Sequence, residues 1–352
     1  MDIHKHKYDI KKTDTLFSIA QELGLETSEL KAFHNKNSRP HEWIKDDDTL
    51  PIWSEYIIIP DSVEALKKRH GELRSAEKVV LKQKLFERSQ YTILQIIDLQ
   101  VSGNSMIDSE TEIIWECSKN KKEDSFFIDI RQKSHQVKYI KSIYRQLAEY
   151  MQKFNKPLEH LTMELFADGT IKSVVNQDEI KEVWNVLKTE LESEMGDTIE
   201  EKNMIKGGDE DFGKTLPLIK NNTLYQLFLK DIYNVYSELN QFIEIGKQEY
   251  ISQIFGNEKV FLNVKRRVEK ENGIAKIKFY AEADSQNNEH LRDIYNAKLK
   301  DFLKEHYAYS LTWSIEYHVD IEIGKIISCY SKVKEQASSK YSHLIEHKIV
   351  LT

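Results

Sequence analysis

Four histidines and two cysteines are spaced where chemistry could be built, and each set fails a specific requirement. His4 and His6 lie two apart near the start, and His343 and His347 share one face of a β-like run. Neither pair has a third and fourth ligand at a metal-site spacing, and "HLIEH" is not the His-Glu-x-x-His of a helical zinc protease. Cys117 alternates with Ile113 and Trp115, and Cys329 with Ile327, which favours buried reduced thiols over a bridge or a nucleophile. None of the 58 acidic residues is singled out by an apolar setting that would raise a carboxyl for general-acid work. Gly207 and Gly208 stand in an acidic stretch with no strand before them, so they are not a phosphate loop. The expectation is a non-enzymatic protein with no metal and no cofactor.

The chain of 352 residues is long enough for two or three domains, and 40% hydrophobic with 31% charged residues is a folded, polar composition. A formal charge of −7 gives no global basic field, which argues against nucleic acid as a partner. Twelve acidic against four basic residues fall between Gln177 and Phe212, and this stretch reads as a helix end followed by a solvated acidic linker over 197–220. The start "MDIHKHKYDIKK" has no apolar signal core and no stretch is long and apolar enough to span a bilayer. The expectation is therefore a chain made and kept in the cytoplasm, without membrane insertion, any export using a route that reads no cleaved signal.

The pattern along the chain predicts an α+β protein. A first unit over 1–62 ends at "IIIPDS", and a charged connector helix follows within 63–90. Residues 91–196 read as an α+β domain with three strands between Tyr91 and Lys133. A helix from about Gln136 to Phe154 follows, with a stripe of Val137, Ile140, Ile143, Leu147, Met151 and Phe154. Asp168-Gly169 between "LTMELFA" and "TIKSVV" signals a hairpin, and Asn176 with Glu179 opens a helix carrying Ile180, Val183, Trp184, Leu187 and Leu191. Residues 221–352 read as a second α+β domain that starts with a helix from about Asn222 to Ile245. The β, β, α, β order then returns, which points to antiparallel sheets covered by helices and to a duplicated unit.

"YDIKKTDTLFSIAQELGL", from Tyr8 to Leu25, packs a strand, a polar turn and an amphipathic helix. Leu16, Ile19, Ala20 and Leu23 make the apolar face, Gly24 suits a helix end, and Thr27 is placed to cap a second helix whose Leu30 and Phe33 face inward. With Asn35 and the closing Ile57, Ile59 and Pro60, the stretch from Tyr8 to Pro60 resembles the LysM family in its order of matched positions. The resemblance implies a βααβ module that binds peptidoglycan-type, N-acetylglucosamine-containing glycan. By position, the groove would be lined by Thr13, Asp14, Thr15 and Leu16 on one side and by Asn35 and Lys36 on the other.

Two departures bear on that implication. Thr13 stands where the family commonly has Gly, and "KNSRPHEWIKDDDTLPIWSEY" is longer than usual and carries Trp43, Trp53 and Tyr56, residue types that serve as interface anchors. Three roles stay open on the sequence: a binder of wall glycan, a cytoplasmic adaptor of a contractile injection machine of the type VI secretion or phage-tail kind that holds a protein partner, and an effector exported by such a machine.

Overall fold

The computed structural model describes residues 5–11, 14–39, 42–44, 50, 55–61, 78–194, 198–237, 239–256 and 258–352. The expected connector helix falls largely outside the described residues. The chain divides into two units, Met1–Glu77 and Lys78–Thr352.

In the first unit, strand β1 (Lys5–Asp9) leads to helices α1 (Leu16–Glu22) and α2 (Thr27–Asn37), and strand β2 (Tyr56–Pro60) returns antiparallel to β1, pairing Tyr8 with Ile57. Its core is small: Leu16, Ile19, Ala20, Leu25, Leu30, Phe33, Ile44, Ile57 and Ile59 are buried together.

The second unit corrects the expected α+β class. It is built on one antiparallel sheet of eleven strands: β4 (Phe86–Val101), β5 (Asn104–Lys122), β6 (Ser125–Ile140), β7 (His160–Leu165), β8 (Ile171–Val174), β10 (Ile243–Ile251), β11 (Lys259–Glu271), β12 (Ile274–Ala283), β13 (Ser310–Asp320), β14 (Lys325–Ser338) and β15 (Tyr341–Leu351). The spatial order runs β10-β11-β12-β13-β14-β15-β4-β5-β6-β7-β8. The C-terminal β15 pairs with β4 from Tyr341↔Val101 to Leu351↔Tyr91, so the two expected α+β domains are halves of one sheet rather than duplicated units. Strand β3 (Val79–Val80) pairs separately with β9 (Val235–Tyr236).

Alternation puts Ile93, Ile113, Trp115, Ile130, Met163, Phe279, Trp313, Tyr317, Val333 and Ile349 into one buried core. Helices cover this face: α4 (Gln177–Glu194), α5 (Ile199–Gly213), α6 (Thr215–Asn221) and α7 (Thr223–Phe228). Trp115 stacks on Tyr225 with ring centroids 5.1 Å apart, and the Tyr317 hydroxyl donates to the Leu227 carbonyl at 2.9 Å. Further α-helices among the described residues are α3 (Arg145–Lys153), α8 (Asn288–Lys298) and α9 (Lys300–Leu303). Cross-strand ion pairs such as Lys332–Glu346 at 2.7 Å and Lys138–Glu112 at 2.8 Å occupy positions of the opposite parity.

Two further expectations give way to long-range pairing. Val137 and Ile140 continue β6, paired to Thr111 and Ser109 of β5; a 3-10 turn at Ser142–Tyr144 leads into the α-helix Arg145–Lys153, and Ile143, Leu147 and Met151 stay exposed. Strand pairing satisfies the backbone of a segment whose side-chain spacing also suits a helix. The helix expected from Asn222 stops at Phe228, because Tyr236 is claimed by Val79 and Ile243 by Arg266 of β11.

The acidic linker is largely helical. Thr198 and Glu201 form a capping box that starts α5. Asp209 of that helix accepts from the Trp184 indole at 2.8 Å and from Lys188 at 2.8 Å. Gly208 lets the ring lie against the helix, for a Cβ there would sit 2.3 Å from it.

Among the described residues no helix is long and apolar enough to cross a membrane.

Candidate functional site

The residues expected to line a groove in the first unit are placed by capping and by side-chain-to-backbone bonds. Thr15 is the N-cap of α1: its hydroxyl accepts from the Ser18 amide at 3.1 Å while its own amide donates to the Ser18 hydroxyl at 2.9 Å. Asp14 accepts from the Lys11 amide at 2.9 Å. Leu16 is buried in the core. Asn35 is consumed by the chain after α2, donating to the Ile44 carbonyl at 3.0 Å and accepting from the Ile44 amide at 2.8 Å. Lys36 is exposed, and Thr13 and Trp53 lie outside the described residues.

Of the expected anchors, Trp43 is 48% exposed. Tyr56 is half-buried, with the Lys7 ammonium 3.6 Å from its ring centroid and its hydroxyl donating to Glu42 at 3.2 Å.

Two residues of this unit escaped the sequence reading. His34 is fully buried, its Nδ1 accepting from the Ile58 amide at 2.9 Å and its Nε2 lying 2.9 Å from the Glu42 carbonyl, an arrangement that requires the proton on Nε2. It ties α2 to β2 and to the loop between them. Phe17, 65% exposed, points away from the core because it follows Leu16 by a single helical step; its apolar ring on the polar side of α1 was the available signal.

In the second unit, a cavity of about 300 Å³ opens between the β7–β8 turn, α6, α7 and β10. Thr170, Ile219, Tyr225, Gln226, Lys230 and Gln248 are among its lining residues. The turn at its rim depends on Gly169, whose φ is +96° and whose Cα faces the Tyr233 ring; a Cβ would approach that ring to 2.6 Å. Lys230 is largely buried, and burial pulls its ammonium below the ordinary lysine range. Nothing in the sequence distinguished Lys230, since its surroundings are assembled by elements distant along the chain.

Other titratable groups are placed as follows. His160 lies between two carboxylates, with Nε2 2.7 Å from Asp129 and Nδ1 2.8 Å from Glu179, and Asp129 also accepts from Thr162 at 3.0 Å and from Arg131 at 3.0 Å. Both ring nitrogens are engaged by carboxylates, which favour the protonated imidazole over the neutral one against the opposing effect of burial. Lys119 is buried against Tyr233, with its Nζ 3.4 Å from the phenol oxygen, and burial lowers its pKa to about 8.

Cys117 and Cys329 are free and buried, and burial pushes the Cys117 thiol up to about 12, leaving it protonated and unreactive. His343 is half-buried and His347 fully buried, while His6 pairs with Asp61 at 2.6 Å and His4 lies outside the described residues. Among the described residues no three His, Cys, Asp or Glu side chains are grouped as a metal site.

The fold and its sites define a chain with a small unit that has two α-helices among its described residues and a large unit, built on an eleven-stranded sheet, that carries a cavity of about 300 Å³. No family model and no curated protein matches it. Among solved structures it is similar to one described as lipid–protein interactions in lipovitellin, at 15% identity and a TM-score of 0.34 over 78% of this chain. That match spans 25% of the lipovitellin chain.

Proposed function

We propose that the protein is a non-catalytic binding protein whose N-terminal unit is a LysM-like docking module that holds a protein partner. One observation carries the choice of protein over glycan. The side chains that would hold a sugar are spent inside the module, Thr15 on the start of α1, Asn35 on Ile44 and Leu16 on the core, whereas Phe17 and Trp43 are presented to solvent. Large aromatic rings on a rigid scaffold are the residues on which protein interfaces concentrate their binding energy. The half-buried Tyr56 and the exposed Lys36 supply polar positions of the kind found at an interface rim.

The experiment uses the full chain. A photo-crosslinking residue at Phe17 or Trp43, in cells that make the protein, should trap one discrete protein adduct that is not formed from Lys348 on the sheet. Peptidoglycan and N-acetylglucosamine polymers should fail to retain the chain. Retention on those polymers that disappears in Asp14→Ala would overturn the protein reading in favour of the glycan.

A further inference from the structure

We propose that the cavity around Lys230 is a binding site for a small carboxylic acid that has an apolar body and one hydrogen-bond donor, a ligand separate from the partner of the N-terminal unit.

Each part of that ligand answers a feature of the cavity. Lys230 is 13% exposed and donates to the Gln248 side-chain oxygen at 2.6 Å. An ammonium has three donors, and the Asp231 carboxylate, at 4.0 Å, is beyond hydrogen-bond distance. The rings of Phe279 and Trp313, with centroids 5.2 and 6.0 Å from Nζ, offer it π-faces but no lone pair. A buried ammonium so placed gains a charge-assisted bond from any carboxylate that enters.

A second group points to the other end of the ligand. The Gln226 amide nitrogen donates to the Lys220 carbonyl at 2.6 Å, which fixes the orientation of the amide. Its oxygen is buried without a partner among the described residues, and Gln226 lines the cavity, so a ligand hydroxyl or amino group that reaches this oxygen finds an unfilled acceptor. Between the two polar groups the wall is apolar, with Ile171, Ile219 and Leu229.

Charge and size narrow the class further. Lys220 is exposed and lines the same cavity; Asp231, which also lines it, lies 4.0 Å from Lys230, and the Glu249 carboxylate is paired with Lys259 at 3.0 Å, so one positive charge is left over. A volume of about 300 Å³ is at the small end for ligand pockets. A single buried ammonium suits a carboxylate better than a phosphate, which is held by several convergent donors.

Calorimetric titration of the full chain with 4-hydroxybenzoate, lactate, benzoate and inorganic phosphate tests the proposal. At least one hydroxy acid should bind saturably, and Lys230→Met, which keeps the length of the side chain, should weaken it by about tenfold or more. Gln226→Met should leave benzoate binding in place while removing any preference for 4-hydroxybenzoate over benzoate, a readout that survives if Lys230→Met fails to fold. Absence of binding by all three carboxylates, equal binding by Lys230→Met, or binding of phosphate alone would overturn it.

Discussion

Replacing His347 by Leu should make the protein more acid-resistant without weakening it at neutral pH. His347 lies on the core face of β15, fully buried, opposite Ser331 of β14 and Gln95 of β4, and neither ring nitrogen has a hydrogen-bond partner among the described residues. Burial alone lowers its pKa to about 4. The folded state therefore holds the ring neutral, whereas the unfolded chain takes up a proton near the ordinary histidine value of about 6.5. Stability linked to this residue is full above that value and falls as pH drops toward the folded pKa, because only the unfolded state gains a proton in that window.

Between pH 7 and pH 5 the loss is about 2 kcal/mol, and it approaches about 3 kcal/mol near pH 4. Leucine is similar in size, has no titrating group and leaves no ring nitrogen without a partner, so the variant should at least match wild type at pH 7. The check is urea unfolding of both proteins at pH 7 and pH 5, followed by tryptophan fluorescence and compared as a double difference, so that carboxylates common to both cancel. A stability advantage of the variant that widens by about 2 kcal/mol at the lower pH is expected. Parallel pH profiles, or a variant clearly weaker at pH 7, would refute the claim that the imidazole is buried without a partner.

The paired glycines of α5 should respond oppositely to alanine. Gly207→Ala meets no atom within 4 Å and should stabilise by about 0.5–1 kcal/mol through helix propensity, whereas Gly208→Ala drives a methyl into the Trp184 ring and should cost about 1–3 kcal/mol, both read as shifts in urea midpoint. His160 should titrate above an ordinary histidine: burial opposes its charge, but hydrogen bonds to Glu179 and Asp129 outweigh burial. Its contribution to stability is present below the unfolded value and is lost as pH rises through the raised one. Glu179→Gln should lower the His160 pKa in an NMR titration, and no change would show that Asp129 alone holds the charge.

The features legible in the sequence are those whose cause lies within a few residues. Asp168-Gly169 marks the turn between β7 and β8 because a left-handed residue is needed at that point, and Ile180, Trp184, Leu187 and Leu191 mark the buried side of α4 because 3.6-residue spacing is enough to define it. What the sequence hides depends on partners far along the chain. The stripe from Val137 to Met151 fits a helix equally well until β5 offers its edge, and the acidic run looks solvated until Trp184 supplies a surface for Gly208 and a donor for Asp209. Even the joining of the two halves into one sheet rests on β15 meeting β4, which no local pattern announces.

The same division holds for the sites. Asn35 could be placed at the right point of the first unit by its order in the chain, but its two hydrogen bonds to Ile44 are a tertiary fact that its order does not announce. Lys230 has the opposite history: nothing local marks it, and it becomes a candidate only because Gln248, Phe279 and Trp313 surround its ammonium while accepting one hydrogen bond between them. A candidate residue is therefore better judged by which of its hydrogen-bonding positions the fold has already filled than by its type or spacing. By that measure the exposed rings of Phe17 and Trp43 and the cavity at Lys230 are the places among the described residues that we propose for binding.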